Sequence, residues 1–266
     1  MKKLNYMPMK KILLVSGCSN TDKNFESAVH PEMDCSWPKW PELLAKKLDM
    51  ECVNLAHNGA GNEYIYSTIL EYILKTKDKS QIGLVIPAWT QCQRKDYQES
   101  HLGTWHQKRI DPDGDVFSFV RKDLRYMISL QLICKLYNIP LKMFQMISFF
   151  DGFITGLSKT DAEVYKNRNN PNFKRRYNYN SKSETKQQDR LKCSKIMLEY
   201  EPYIDVKDFI GWPTSNHFGG FHIESKTLWL DDGGEYNEEL LVSKLDVHPG
   251  KKGHEKIAEF LYDWLG

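Results

Sequence analysis

Three short stretches of this sequence carry side chains suited to acyl transfer. "KKILLVSGCSNT", residues 10 to 21, ends an apolar run in Gly17-Cys18-Ser19. A serine hydroxyl is a poor nucleophile until a base removes its proton. His248, in "LDVHPGKKGHEKIAEFL", is such a base, and Asp246 two residues earlier can orient the imidazole and stabilise its cation. Gly59 lies in the glycine-rich "AHNGAGN". Backbone N–H groups of Ser19 and Gly59 can face a developing oxyanion, because glycine lets the chain approach closely. Each piece alone also has a plainer reading. A serine after an apolar run is commonly a turn residue, "GAGN" lacks the full dinucleotide fingerprint, and a lone Asp-x-His can cap a helix or hold a metal.

These side chains need elements to bring them together. Ile12 to Val15 predicts a short buried strand. Pro41 suits the first turn of a helix running to Leu48, with Leu43, Leu44 and Leu48 inward. Glu51 to Leu55 predicts a second strand, Ile82 to Ile86 a third, and Ile139 to Ile147 a fourth, with Pro140 fitting only at its start. Asn62 is placed to cap a helix whose Ile65, Ile69, Leu70, Ile73 and Leu74 repeat at helical spacing. A longer helix over Phe117 to Tyr137 sets Leu124, Ile128, Leu132 and Leu136 every four residues. Lys251 to Leu265 predicts a closing amphipathic helix with Ile257, Leu261 and Trp264 on one face, and Gly253 permits a close approach to the sheet. Such alternation argues for the α/β class, a parallel sheet with helices on both faces. Ligands gather at the carboxyl ends of such a sheet. Ser19, Gly59 and the stretch Ala88-Trp89-Thr90-Gln91 all follow predicted strands.

The 266 residues fit one domain spanning 1–266, with loop insertions expected over about 94–116 and 158–236. A hydrophobic content of 41% supports a substantial core. The formal charge of +2 demands neither nucleic acid nor an anionic membrane as partner. No apolar stretch reaches bilayer-spanning length. Residues 158–192 are basic and polar, and read as a solvated loop or as a tyrosine-bearing flap over a site. Six cysteines, scattered without a C-x-x-C pair, read as buried thiols of a reducing compartment. The opening also reads as a lipoprotein signal cut before Cys18. Only five residues separate Lys11 from Gly17, whereas an exported segment needs about 7–15 apolar residues. The strand reading is therefore preferred, and with it a product that is cytoplasmic or released without a signal peptide.

The blocks resemble those of the SGNH or GDSL-type hydrolases, a family named for a Ser, Gly, Asn and His on separate sequence blocks. "SGCSNT" is similar to its first block, "NLAHNGAGN" to its second and "DVHPGKKGHEKIA" to its last, in order from 12 to 265. The resemblance implies a flavodoxin-like three-layer α/β/α sandwich and hydrolysis of an ester without cofactor or metal. It makes Ser19 the nucleophile, His248 its base, Asp246 the orienting acid and Gly59 an oxyanion donor. Acetylated carbohydrate is the expected substrate, by family habit and aromatic content.

The sequence also departs from the pattern. Cys18 replaces the usual aspartate and offers a rival thiolate nucleophile for His248. The Gly-x-Asn block has no clean counterpart, so the third oxyanion donor falls to Thr90 or Gln91, or to Asn62 by proximity. Asp-x-His is one residue shorter than the common form. Trp89, Trp105, Trp212 and Phe221 can stack on a sugar ring or simply pack; Trp89 and Trp212 are taken as the substrate-binding pair. Zinc on His217, His222, His248 and His254 is set aside, because the spacing fits no zinc pattern. A non-catalytic glycan- or protein-binding module and a mononucleotide-binding flavodoxin relative are the alternatives.

Overall fold

The structure is a computed structural model that describes residues 10–99, 103–108, 115–149, 184–214, 220–230 and 235–266. The main sheet has five strands, all parallel: β1 (Ile12–Ser16), β2 (Glu51–Asn54), β3 (Ile82–Trp89), β6 (Met143–Gln145) and β7 (Phe209–Ile210). Their order is β2-β1-β3-β6-β7. Taken in chain order within this sheet, that is the 2-1-3-4-5 arrangement of flavodoxin-like folds, as expected. Its switch point lies between β1 and β3, where the chain turns from one side of β1 to the other.

Side-chain alternation divides the core in two. Leu13 and Val15 of β1 with Leu84, Ile86 and Ala88 of β3 face α1 (Trp40–Lys47) and the last helix, α6 (Lys251–Leu265). Leu14, Val85 and Trp89 face α2 (Asn62–Lys75), α3 (Val116–Leu136) and α4 (Glu184–Tyr200). Successive strand residues point to opposite faces, so a continuous apolar run here signals burial on both. The result is three layers.

Several elements differ from the sequence reading. Two strands, β4 (Lys95–Glu99) and β5 (Thr104–Lys108), pair antiparallel within a stretch expected to be a loop. The helix α4 begins within the segment read as a solvated loop, whose residues 158–183 lie outside the described part. β7 is only two residues long, yet it is the edge strand of the main sheet beside β6. In α3, Leu124 is buried but Leu132 and Leu136 are 58% and 72% exposed. A spacing of four advances about 40° per step around the helix, so a run of four such leucines drifts off the core face. Phe119, Val120, Met127, Leu130 and Cys134 take their place. Gly253 does permit a close approach, but to backbone: a Cβ there would lie 2.2 Å from the Leu240 carbonyl oxygen.

His254 joins the two helices of one face. Its Nδ1 accepts the backbone N–H of Trp40, at 3.3 Å, at the start of α1. The ring is 1% exposed. Burial, with the nearby Lys39 and His248 charges, pushes its pKa down to about 3. The folded ring therefore stays neutral through a range where the unfolded one, near 6.5, takes up a proton. The unfolded state then binds more protons, so stability falls as pH drops from 6.5 toward 3. Between pH 7 and 5 this one group should cost about 2 kcal/mol. In His254→Asn the amide oxygen can take over as acceptor without titrating. Urea unfolding at both pH values should show that variant lacking this share of the acid sensitivity.

Candidate active site

The turn after β1 is shaped by Gly17, whose hydrogen cannot be replaced: a Cβ would sit 2.6 Å from Thr21 Oγ1. The backbone N–H groups of Thr21 and Asp22 close the turn on the Cys18 carbonyl, at 2.8 and 3.1 Å. Cys18 is sealed, at 0% exposure, whereas Ser19 is half-buried and turned outward. This removes the rival thiol from the surface and leaves the hydroxyl there.

The loop before α6 reaches Ser19 from the far end of the chain. The backbone N–H of Val242 donates to the His248 carbonyl at 2.8 Å, and that of Gly250 to Leu240 at 2.8 Å, which holds the loop closed. His248 Nε2 lies 2.9 Å from Ser19 Oγ. Its Nδ1 lies 2.5 Å from Asp246 Oδ1, which also accepts the His248 backbone N–H at 3.2 Å. The short Asp-x-His spacing is thus met by one carboxylate oxygen taking both groups. Burial of Asp246 opposes its charge, but hydrogen bonds from His248 and Ser27 outweigh it and hold the carboxyl down at about 2. Phe25 packs against the imidazole, ring centres 4.5 Å apart.

The glycine-rich turn lies beside them. Asp22 ties it to the serine turn by accepting the backbone N–H of Asn58, at 2.9 Å. His57 N–H donates to the Gly17 carbonyl (3.1 Å), Ala60 N–H to His57 (3.1 Å) and Gly61 N–H to Asp96 Oδ1 (2.9 Å). Among the described residues, the Gly59 N–H is the one in this turn without a partner, and the Ser19 N–H has none either. Gly59 is exposed and sits at φ +80°, a conformation that favours glycine.

The candidates for a third donor separate clearly. Asn62 neither caps α2 by its side chain nor faces the site. It is 2% exposed; its Oδ1 accepts Thr90 N–H at 2.8 Å and its Nδ2 donates to Thr90 O and Asp123 Oδ2. That same pairing uses up the Thr90 N–H, and the Thr90 hydroxyl is buried. Both are corrected as oxyanion candidates. Gln91 is half-buried, and its Oε1 is held by Arg94 Nε and Nη2, each at 3.3 Å, and by Gln93 Nε2 at 3.2 Å. Its amide nitrogen has no partner among the described residues. The cap that Asn62 was expected to give α2 comes instead from Asp96 of the hairpin, which accepts the N–H groups of Gly61 and Tyr64.

The substrate-stacking pair is also corrected. Trp89 is 0% exposed, pointing from β3 into the core. Trp212 packs edge-on against Phe209, 5.2 Å between centres. With Met197, Leu198 and Pro213 it lines a cavity of about 260 Å³ that none of Ser19, Asp246 and His248 enters. Phe221 packs edge-on against Phe260 of α6. Trp105 does lie near the glycine turn, in a ladder with Tyr64 (5.2 Å) and His57 (5.8 Å from Tyr64). His222 caps α5 (Ile223–Thr227) through Ser225 N–H, and the His254 Nδ1 accepts the Trp40 N–H, so the Nδ1 of each ring is already engaged. His217 lies outside the described residues. Among the described residues no group of three metal-binding side chains forms, and no helix is long and apolar enough to cross a membrane.

Ser27, Asp22, Phe25 and Arg94 were not singled out from the sequence. Their one sequence signal is position, on the turns that follow β1 and β3.

No family model matches the chain, and no curated protein matches it. Several solved structures of similar fold are described as GDSL or SGNH hydrolases. One is a lipolytic G-D-S-L family protein of Desulfitobacterium hafniense DCB-2, 13% identical, covering 96% of this chain and 99% of that one, with a TM-score of 0.45. Another is the psychrotrophic esterase EstA of a Pseudoalteromonas species, 11% identical over 96% of both chains, with a TM-score of 0.44. A third is the acetyl xylan esterase Est2A of the rumen bacterium Butyrivibrio proteoclasticus, 11% identical, covering 97% of this chain and 64% of that one, with a TM-score of 0.39.

Proposed function

We propose that this protein is a serine hydrolase that cleaves carboxylic esters through an acyl-enzyme. The observation that carries the reading is the continuous relay from Ser19 Oγ through His248 to Asp246, with contacts of 2.9 and 2.5 Å. His248 Nε2 takes the hydroxyl proton as Ser19 Oγ bonds to the acyl carbon. Asp246 stabilises the imidazolium that forms. The oxyanion meets the free N–H groups of Ser19 and Gly59 and the amide nitrogen of Gln91. His248 then returns the proton to the leaving alcohol. Water, deprotonated by the same ring, attacks the acyl carbon; the Ser19 Oγ–acyl bond breaks, His248 returns the proton to Oγ, and the acid leaves. Every proton is moved by groups of this chain, and the reaction draws on no redox step.

The finer substrate class is a small acyl group on a carbohydrate. The support is the ladder of His57, Tyr64 and Trp105 next to the Gly59 turn, since aromatic faces suit the apolar faces of sugar rings. A fluorophosphonate probe should label Ser19, as read by peptide mapping, and prior treatment with the probe should abolish hydrolysis of p-nitrophenyl acetate. Acetylated xylo-oligosaccharides should outpace p-nitrophenyl butyrate in kcat/KM. A folded sample that neither takes the label nor turns over any ester would instead be a binding module on this scaffold.

A further inference from the structure

We infer that Ser27 is a positioning residue of this site, its hydroxyl donating to Asp246 and fixing the carboxylate that orients His248. The inference rests on the reading of Ser19, His248 and Asp246 as a working triad.

Ser27 Oγ lies 2.5 Å from Asp246 Oδ2. The direction of that bond is determined by its neighbours. The same hydroxyl oxygen accepts the backbone N–H of His30 at 2.9 Å and of Val29 at 3.3 Å. Two donors occupy its lone pairs, so its own proton is left for the carboxylate. Both groups are out of water, Ser27 at 3% exposure and Asp246 at 5%. Each carboxylate oxygen therefore has its own donors: Oδ1 takes both N–H groups of His248, and Oδ2 takes Ser27. Rotating the carboxylate would break one set or the other. Removing the hydroxyl leaves Oδ2 buried without its donor, which is costly for a charged acceptor.

The surrounding segment fits this role. His30 Nε2 lies 2.7 Å from Ser243 Oγ, a second tie between the same two loops. Phe25 packs on the imidazole, and Asp22 holds the turn that carries Gly59. Residues 22–30 thus brace the acid, the base and the oxyanion turn from one side.

The test separates positioning from mere support of the loop. Ser27→Ala should lower kcat about tenfold at unchanged KM, the scale of one lost hydrogen bond to a charged group. The same change made in Asp246→Asn should cause no further loss, because Ser27 acts through the carboxylate. Equal losses in both backgrounds, or full activity of Ser27→Ala, would overturn the inference. Ser27→Cys keeps a donor at this position, weaker and on a larger atom, and should fall between; it serves if the alanine variant does not fold. A readout independent of catalysis is the proton NMR resonance of His248 Nδ1–H, which should move in Ser27→Ala while remaining amide signals outside residues 22–30 and 240–250 stay in place. If wild type proves inactive toward esters, the hydrolase reading falls, yet this resonance still decides whether Ser27 sets the Asp246–His248 contact. An unmoved resonance would refute it.

Discussion

Ser19→Ala should lose at least about 10⁴-fold in kcat toward p-nitrophenyl acetate with its melting temperature unchanged, given that removing the serine or histidine of a working triad costs up to about 10⁶-fold. The residue is half-buried at a turn and makes one side-chain hydrogen bond, to His248. Its loss removes the proposed nucleophile and little else. The residual rate should be that of the oxyanion groups acting on water. Cys18 is the instructive neighbour. Its thiol, one residue away, is not placed to rescue the reaction, because it is sealed at 0% exposure. The turn explains this: in the bend that follows β1, Cys18 is packed inward while Ser19, one position on, is half-buried and in contact with His248. The residual activity of Ser19→Ala should therefore be insensitive to iodoacetamide. Thiol-sensitive turnover, or retention of wild-type kcat, would exclude Ser19 as the attacking group.

The parts of this site that the sequence displays are those set by local pattern. Ser19 ends an apolar run, and His248 precedes a helix whose Ile257 and Leu261 repeat at helical spacing. Both placements follow from periods of two and 3.6 residues. Gly59 is legible for the same reason, as the glycine of a turn between a strand and a helix. What the sequence hides is partnership across distance. Ser27 meets Asp246 across 219 positions, and Asn62 meets Thr90 across 28. No local pattern tells a side chain that caps its own helix from one that reaches another strand. Trp89 shows the limit in a single residue. Its place after an apolar run marks the carboxyl end of β3, but the run continues through it, and alternation turns the indole inward. The two-residue β7 is similarly invisible, because Phe209–Ile210 shows strand character only through its pairing with β6.

Gln91→Ala should lower kcat by about 10²-fold with KM little changed, the cost of removing one side-chain oxyanion donor. Here the amide orientation matters more than proximity. Arginine nitrogens are always donors, so the two that reach Gln91 must contact its carbonyl oxygen. The NH2 end is thereby turned away from Arg94 and has no partner among the described residues. A positive charge on the carbonyl end also polarises the amide and makes its N–H groups better donors. The same guanidinium holds the Ala60 carbonyl at 2.8 Å, beside the free N–H of Gly59. Arg94 thus contacts Gln91 directly and the Gly59 turn through the Ala60 carbonyl. Arg94→Lys should keep the charge yet recover little, because one ammonium cannot reproduce the fork. The decisive measurement is the double variant. If Arg94 acts by orienting Gln91, its replacement by alanine should cost far less in Gln91→Ala than in wild type, apart from what the Ala60 contact contributes. Additive losses would mean that Arg94 supports the Gly59 turn alone, and that the oxyanion is held by two backbone N–H groups.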